Sequence, residues 1–497
     1  MHPTVDPSIW DSGFVRVICC CLHTHVNATQ NYHHKNHETY YWTRNNPLQA
    51  LQYHQIGRSI WNTKKASMAT LADSLKAASI PVATTKPRWS ATATMKANVF
   101  IDTREVRVMT VPRPLITDPE DAILRVCAST ICGSDLHLYH GEVPEVKNGD
   151  ILGHEFLGIV DEVGPAVQHI RKGMRVVCSF VIACGRCPYC LRKEFSACPH
   201  ANDSTTELKA YGHRTAGFFG YSHMTGGYPG GQSEYVRVPF ADTNLLQLPD
   251  DISDEKALLL SDITPTAFYA NEVAGVSSGD TVAVWGAGPV GILAAQWAFV
   301  RGAKRVAIID GVTYRLRLAK QHMPNIHTIN FKEVDVLDEL NTVFPDGPGP
   351  DCGLECVGFE GVKSFTHKTE RALGMEVDSP EVLNEMFKAV RPFGRLGIVG
   401  VYVDHANHVH VGAFMEKGLS IGSGQCPVQR YWKEMLRRVQ NGEFDPTVVY
   451  THKGFIDDFP RLYEMSDKKQ DGLVKVFVNV APGLTDRIRF EGLKVEE

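Results

Sequence analysis

The stretch from Thr281 to Gly302, TVAVWGAGPVGILAAQWAFVRG, decides the fold. It begins as an apolar strand, breaks at glycines and resumes as an apolar helix. A buried strand turning into a buried helix is the first half of a βαβ unit. Gly286, Gly288 and Gly291 stand in G-x-G-x-x-G spacing, with Pro289 and Val290 between the second and third. The first glycine lets the chain turn, the second lets backbone approach a pyrophosphate, and the third lets helix pack on strand. Exposed N–H groups at the helix start would then face the phosphates. Glycines in this spacing also mark plain turns, but here a strand and a helix flank them on the correct sides. The next apolar run, RVAIID, ends in Asp310. An acid there accepts hydrogen bonds from both ribose hydroxyls and repels a 2′-phosphate, so NAD is expected rather than NADP. Arg315, one turn further on, meets ribose or phosphate, or else is a solvated helix charge; both readings stand.

Around this unit, residues 267–412 alternate short apolar runs, such as RLGIVGV, with helical stretches, which predicts a doubly wound parallel sheet. PDGPGP at 345–350 reads as a loop between such units. Residues 95–266 are short strands broken by Gly and Pro, an all-β texture. Residues 413–497 mix a helix, RYWKEMLRRVQNG, with strands that end in LVKVFVNV. Residues 1–94 differ from the rest. They hold His2, His23, His25, His33, His34, His37 and His54, the triplet Cys19, Cys20 and Cys21, and little periodicity. Such richness invites a metal-binding reading; the expectation is instead a disordered leader or sequence upstream of the native start, with Met68 and Met95 as candidate starts. Met68–Thr94 is Ser/Ala/Thr-rich like a mitochondrial presequence but poor in arginine, so the expected location is cytoplasmic.

The whole chain, at 497 residues, is long enough for several domains, and 43% hydrophobic with 22% charged residues reads as an ordinary soluble protein. A formal net charge of −5 argues against nucleic acid as a partner, and no apolar run approaches a membrane span. Of 13 cysteines, four crowd into CGRCPYCLRKEFSAC. Cys184, Cys187, Cys190 and Cys198 give C-x2-C-x2-C-x7-C, the spacing of a closed, structural zinc shell. Disulfides or free thiols are the plain alternatives.

A second zinc, of the open kind, is suggested by Cys132 and His154 with a third donor. At this point a resemblance becomes plain. CGSDLHLYHG (132–141), GDILGHEFLGIV (149–160), GGQSEYVRVPFAD (230–242), LSDITPTAFYA (260–270) and WGAGPVG (285–291) resemble the zinc-dependent medium-chain alcohol dehydrogenases. GQCPVQRY, DPTVVYTH and DGLVKV in the last third resemble that family's glutathione-independent formaldehyde dehydrogenase-like branch. The resemblance implies a GroES-like β-rich catalytic domain, interrupted by a Rossmann domain and completed by the C-terminal segment. It also implies roles. Cys132, His154 and Asp262 match the catalytic zinc ligands, Asp262 standing where many relatives have cysteine and the formaldehyde-type branch has aspartate. Glu155 matches a carboxylate kept near the metal, and Asp135 would orient His154. Ser134 matches the hydroxyl that passes the substrate proton on, His137 the outer member of that relay, and Thr266 a neighbour of the nicotinamide. Plainer readings accompany these: Cys132 as a small core residue, Asp262 as a helix cap, His137 and His140 as surface histidines, the last adopted for His140.

The expected activity is hydride transfer between an alcohol, or a hydrated aldehyde such as formaldehyde, and NAD, with two zinc ions per chain. Zinc can take a bound hydroxyl down from the pKa of water, about 15.7, toward about 7, the largest single aid available to hydride loss. A polyol or other secondary-alcohol dehydrogenase is the alternative on the same scaffold; a non-catalytic NAD-binding protein is the alternative of another class. A small-molecule substrate is expected as partner, in a homo-oligomer, dimer or tetramer as relatives usually are.

Overall fold

The computed structural model describes residues 83–358, 379–403 and 405–480, all within the compact unit Ser79–Glu497. The histidines and cysteine triplet of the first 82 residues, and the presequence-like segment up to that point, lie outside the described residues.

Two sheets position everything that follows. The first has six parallel strands in the order His327–Asn330, Arg305–Asp310, Thr281–Trp285, Cys352–Glu355, Arg395–Ile398 and Ser420–Ser423. Thr281–Trp285 is the central start: the chain winds outward from it in one direction, then returns to Cys352–Glu355 and winds in the other. Reversal of strand order leaves a crevice at the carboxyl ends of those two strands, the place where doubly wound sheets bind ligands. Its inner strands, Arg305–Asp310, Thr281–Trp285 and Cys352–Glu355, are buried on both faces, while the edge strands His327–Asn330 and Ser420–Ser423 are largely exposed. The Pro289–Val300 helix is buried from Gly291 through Ala298 except at Gln296, packed between sheet and the Ile263–Val273 helix. The sixth strand, Ser420–Ser423, lies beyond residue 412, so the boundary expected there falls inside the sheet. PDGPGP does form the loop that precedes Cys352–Glu355.

The second sheet joins seven strands, and its connectivity is not local. Ala122–Ser129 pairs antiparallel with Phe156–Val163, with Tyr235–Val238 and with Lys475–Asn479. The last of these pairs in parallel with Tyr450–Phe455. The C-terminal strands thus complete a sheet begun more than three hundred positions earlier, with the parallel sheet inserted between. A separate hairpin, Arg88–Asp102 with Glu105–Leu115, turns through Thr103 and Arg104, the latter in the left-handed region at φ 61°.

Residues 83–94, expected in the leader, belong to the fold. The hairpin strand starts at Arg88, and the Ala83 N–H donates to the His200 carbonyl at 2.9 Å. Buried Arg237 is the anchor. Its Nε and Nη2 form a fork on Asp121 at 2.7 and 2.9 Å, Nη2 also reaches Asp118 at 2.7 Å, and Nη1 donates to the Thr84 carbonyl. A guanidinium this buried persists because every branch finds an acceptor. No helix among the described residues is long and apolar enough to cross a membrane.

Candidate active site

Cys132 ends the connection from the Ala122–Ser129 strand and stands at the N-cap of the short helix Gly133–Tyr139. The Asp135 carboxylate Oδ2, at the third helical position, accepts the Cys132 N–H at 2.9 Å, the return half of a capping box. His154 and Glu155 arrive on the approach to the Phe156–Val163 strand, and Asp262 precedes the Ile263–Val273 helix. Four donor atoms, one each from Cys132, His154, Glu155 and Asp262, lie within 4.8 Å of one another. His154 Nε2 is 3.5 Å from Asp262 Oδ2. Two ligands about 2.1 Å from a tetrahedral zinc would be about 3.4 Å apart, so the spacing suits that ion.

Asp262 occupies the N-cap position of its helix but makes no capping hydrogen bond, so the capping alternative fails. Its Oδ1 instead accepts from the Thr266 hydroxyl at 2.6 Å. Asp135 Oδ1 lies 3.2 Å from His154 Nδ1, the face of the ring turned away from Asp262. That contact is within ion-pair reach although its alignment falls short of a hydrogen bond, and neither atom has another partner. Burial alone would lower the His154 pKa, but Asp135, Asp262 and Cys132 outweigh it and hold it well above the usual imidazole range. The pocket therefore carries a field that favours positive charge at its centre. Ser134 Oγ donates to Cys132 Sγ at 3.2 Å, which puts the hydroxyl beside the donor cluster.

His137 is buried, with Nδ1 3.2 Å from Glu142. His140 departs from the surface reading: its side chain is 16% exposed, and Nε2 contacts Asp467 at 2.7 Å with Glu142 close to Nδ1. Two further residues, Gln232 and Lys475, belong to the neighbourhood. Gln232 donates to the Thr130 carbonyl at 3.0 Å and to Asp135 at 3.3 Å, while Asn98 and Tyr463 donate to its Oε1. Lys475, 1% exposed, donates to Glu155 Oε1 at 2.6 Å and to the Ile131 carbonyl at 3.1 Å. Burial depresses the lysine pKa, but Glu155 and the other anions of the cluster more than offset it and the value is raised. Glu155 Oε2 is buried without a partner. Both Gln232 and Lys475 sit in the quoted motifs GGQSEYVRVPFAD and DGLVKV; no spacing rule singles them out.

Cys184, Cys187, Cys190 and Cys198 are all free thiols, and their sulfurs fall within 4.8 Å of one another. Individual Sγ–Sγ separations are 3.5, 3.9 and 4.0 Å. A disulfide needs about 2.05 Å, whereas sulfurs about 2.3 Å from a tetrahedral zinc stand about 3.8 Å apart. The lobe fits zinc.

The glycine turn occupies the crevice. Gly286 has φ 95°, and a Cβ there would meet the Cys356 carbonyl at 2.9 Å; one on Gly291 would meet the Gly286 carbonyl at 1.8 Å. A Cβ on Gly288, by contrast, would meet nothing within 4 Å. Gly288 faces open space at the N-cap of the Pro289–Val300 helix, as a backbone that must admit a pyrophosphate requires. Asp310 is 8% exposed; its two oxygens accept the Ala287 N–H at 2.7 Å and the Val312 N–H at 2.8 Å. Arg315 Nη1 is 4.0 Å from Asp310 and its side chain is 22% exposed, so it is turned toward the acid rather than fully solvated. Glu355, fully buried, holds the loops on the other side of the crevice. It accepts N–H groups from Val357, Gly358 and Gly400 at 2.8, 2.7 and 3.1 Å. It was not singled out in the sequence because, unlike Asp310, it does not end the strand that follows the glycine turn.

Comparison with known proteins agrees with this geometry. Residues 118–250 match the alcohol dehydrogenase GroES-like domain. A zinc-type alcohol dehydrogenase-like protein of Schizosaccharomyces pombe is 42% identical over 390 residues, covering 78% of this chain and 92% of that one. The glutathione-independent formaldehyde dehydrogenase of Pseudomonas aeruginosa is 33% identical over 408 residues, 76% of this chain and 96% of that one. Among solved structures, alcohol dehydrogenase TADH from Thermus sp. ATN1 superposes with a TM-score of 0.64 at 34% identity, covering 78% of this chain and 100% of that one. With metal donors and a dinucleotide turn on one GroES-like and Rossmann framework, and relatives matched over nearly their full length, the chain belongs to the zinc-type alcohol dehydrogenase family and is an oxidoreductase.

Proposed function

We propose that the protein oxidises a small alcohol or hydrated aldehyde, formaldehyde among them, with NAD, using one catalytic and one structural zinc per chain. The convergence of Cys132, His154 and Asp262 within one ion's reach carries this reading. When bound, zinc would acidify a substrate hydroxyl or polarise a carbonyl, and NAD would accept or return hydride. The chain's own residues do the rest. Cys132, His154 and Asp262 supply three donors and leave a position for substrate. Asp135, held by Gln232 and by the Cys132 N–H, fixes the His154 ring so that Nε2 points inward. The Ser134 hydroxyl, beside Cys132, takes the substrate proton and His137 receives it at the outer end of the route. Lys475 ties down one oxygen of Glu155 and leaves the other, buried, without a partner. The glycine turn at 286–291 seats the pyrophosphate, and Asp310 takes the ribose hydroxyls, which supports NAD over NADP. Thr266, bonded to Asp262, stands between metal and nicotinamide sites.

The catalytic half would comprise residues 83–266 and those after Ser423, about an inserted dinucleotide domain that runs from 267 through the Ser420–Ser423 strand rather than ending at 412. A cytoplasmic homo-oligomer, dimer or tetramer, is the proposed state. Metal analysis with an NAD-reduction screen over small alcohols, formaldehyde and polyols tests the proposal. The expected result is two zinc ions per chain and turnover of simple alcohols or formaldehyde. Turnover of polyols alone would move the substrate class, and one zinc per chain without turnover would leave only a nucleotide-binding scaffold.

A further inference from the structure

A second pocket lies apart from the metal donors and the glycine turn. It has a volume of about 510 Å³ and sits where the four-cysteine lobe meets three helices. Five cations line it: Arg192 and Lys193 from the lobe, Arg301 after the Pro289–Val300 helix, and Arg430 and Arg438 from the C-terminal segment. Only two carboxylates, Glu272 and Glu434, share the lining. They are already engaged, Glu272 with Arg301 and Glu434 with Arg438, and Arg192 pairs with Glu194 outside the pocket. Lys193 and Arg430 have no carboxylate partner among the described residues. The floor is aromatic and stiff. Phe268 contacts both Trp297 and Tyr431 at ring separations of 5.1 and 5.3 Å, and Arg301 lies over Phe268 at 4.4 Å.

Cations converging on one concavity repel one another, and this chain carries a formal net charge of −5, so chance surface charge does not account for the cluster. The lining has a net charge of three positive. Each phosphoryl group carries about −1.5 to −2 near neutrality, so a group of two nearly balances it. Guanidinium forks match phosphoryl oxygens in geometry as well as charge. We propose that this pocket is a binding site for a small molecule bearing a diphosphate or two closely spaced phosphoryl groups.

The site is placed to influence the active site. Phe268 and Glu272 lie on the helix that begins just after Asp262 and carries Thr266. Trp297 and Val300 lie on the helix that begins just after Gly288. Each helix thus touches the reaction site at its start and the pocket toward its end, so occupancy would be felt as a change in KM for NAD or alcohol.

Calorimetric titration of the zinc-loaded, full-length enzyme with pyrophosphate, at saturating NAD so that the glycine turn is filled, tests the proposal. One saturable site per chain is expected, with affinity reduced about tenfold or more by Lys193→Asn with Arg430→Gln. Asparagine is chosen because Lys193 is in the left-handed region at φ 63°, which it tolerates. Zinc content and basal kcat of the variant should match the parent; if zinc is lost, Arg430→Gln alone, outside the cysteine lobe, decides by the same fall in affinity. Parallel titrations use inorganic phosphate and citrate. Absence of saturable binding, equal affinity in parent and variants, or tighter binding of phosphate or citrate than of pyrophosphate would overturn the assignment.

Discussion

The Thr266 hydroxyl donates to Asp262 Oδ1 across 2.6 Å, one helical turn along, which leaves Oδ2 to face His154. A carboxylate so oriented offers one oxygen to a metal and cannot rotate to withdraw it. Thr266→Val keeps the shape and removes the donor. Zinc affinity is expected to fall about 10–100-fold, as on loss of other partners of metal ligands. Competition with a chelator of known affinity measures it, and an unchanged affinity would show that Asp262 needs no such support.

Ser134→Ala separates proton transfer from binding. Removing the hydroxyl should lower kcat by about 10²–10⁴-fold, the usual contribution of a positioned proton-transfer group. Zinc content and NAD affinity should stay as they were, because Ser134 is not among the four donors and lies outside the glycine-turn segment 286–291. Steady-state kinetics with metal analysis would check both halves.

Asp310→Ser should shift cofactor choice. The two hydrogen bonds expected from ribose to this charged group are each worth about 1.5–3 kcal/mol, so kcat/KM with NAD should fall by at least about tenfold, while the value with NADP rises as the repulsion is removed. A parent enzyme that uses both cofactors equally would refute the role given to Asp310.

The cluster of His137, His140, Glu142 and Asp467 gives a pH dependence. The His140 pKa is raised from 6.5, first by its contact with Glu142 and then by Asp467, against burial. A raised folded-state value means that its stabilisation is complete below pH 6.5 and is lost as pH climbs through the folded pKa. Burial pushes the Glu142 pKa up, yet the two histidines outweigh it and bring it from 4.5 to about 2. That contribution is present above pH 4.5 and is lost as pH falls toward 2. The network should therefore contribute most between about pH 4.5 and 6.5. In urea unfolding, His140→Gln should cost stability within that window and progressively less above it; a cost independent of pH would count against the pairing.

What could be read from the sequence follows from how far apart cooperating residues lie along the chain. The four cysteines and the glycine turn are each confined to one short stretch, so spacing alone gives their geometry. Ser134 and Asp135 sit two and three positions from Cys132, but their roles were implied by the family resemblance rather than by spacing. Asp262 comes from a different helix, and only the family resemblance joined it to Cys132 and His154. Gln232 and Lys475 were not identified, since each matters through partners reached only after the sheets close, and Glu355 joins its own loop at Val357 and Gly358 to the distant Gly400. His140 was misread because Asp467, which covers it, arrives on a helix more than three hundred positions later. The folded stretch 83–94 was missed because its anchor, Arg237, is equally remote.

The strand Lys475–Asn479 lies between Tyr450–Phe455 and Ala122–Ser129 and brings Lys475 to Glu155. During synthesis, the inserted parallel sheet can assemble as a contiguous unit while the other half waits for its last strand. The candidate donors Cys132, His154 and Glu155 emerge from the ribosome early, yet their surroundings are completed last. A polypeptide stalled before Lys475 would thus have its parallel sheet whole while Glu155 still lacked its cation.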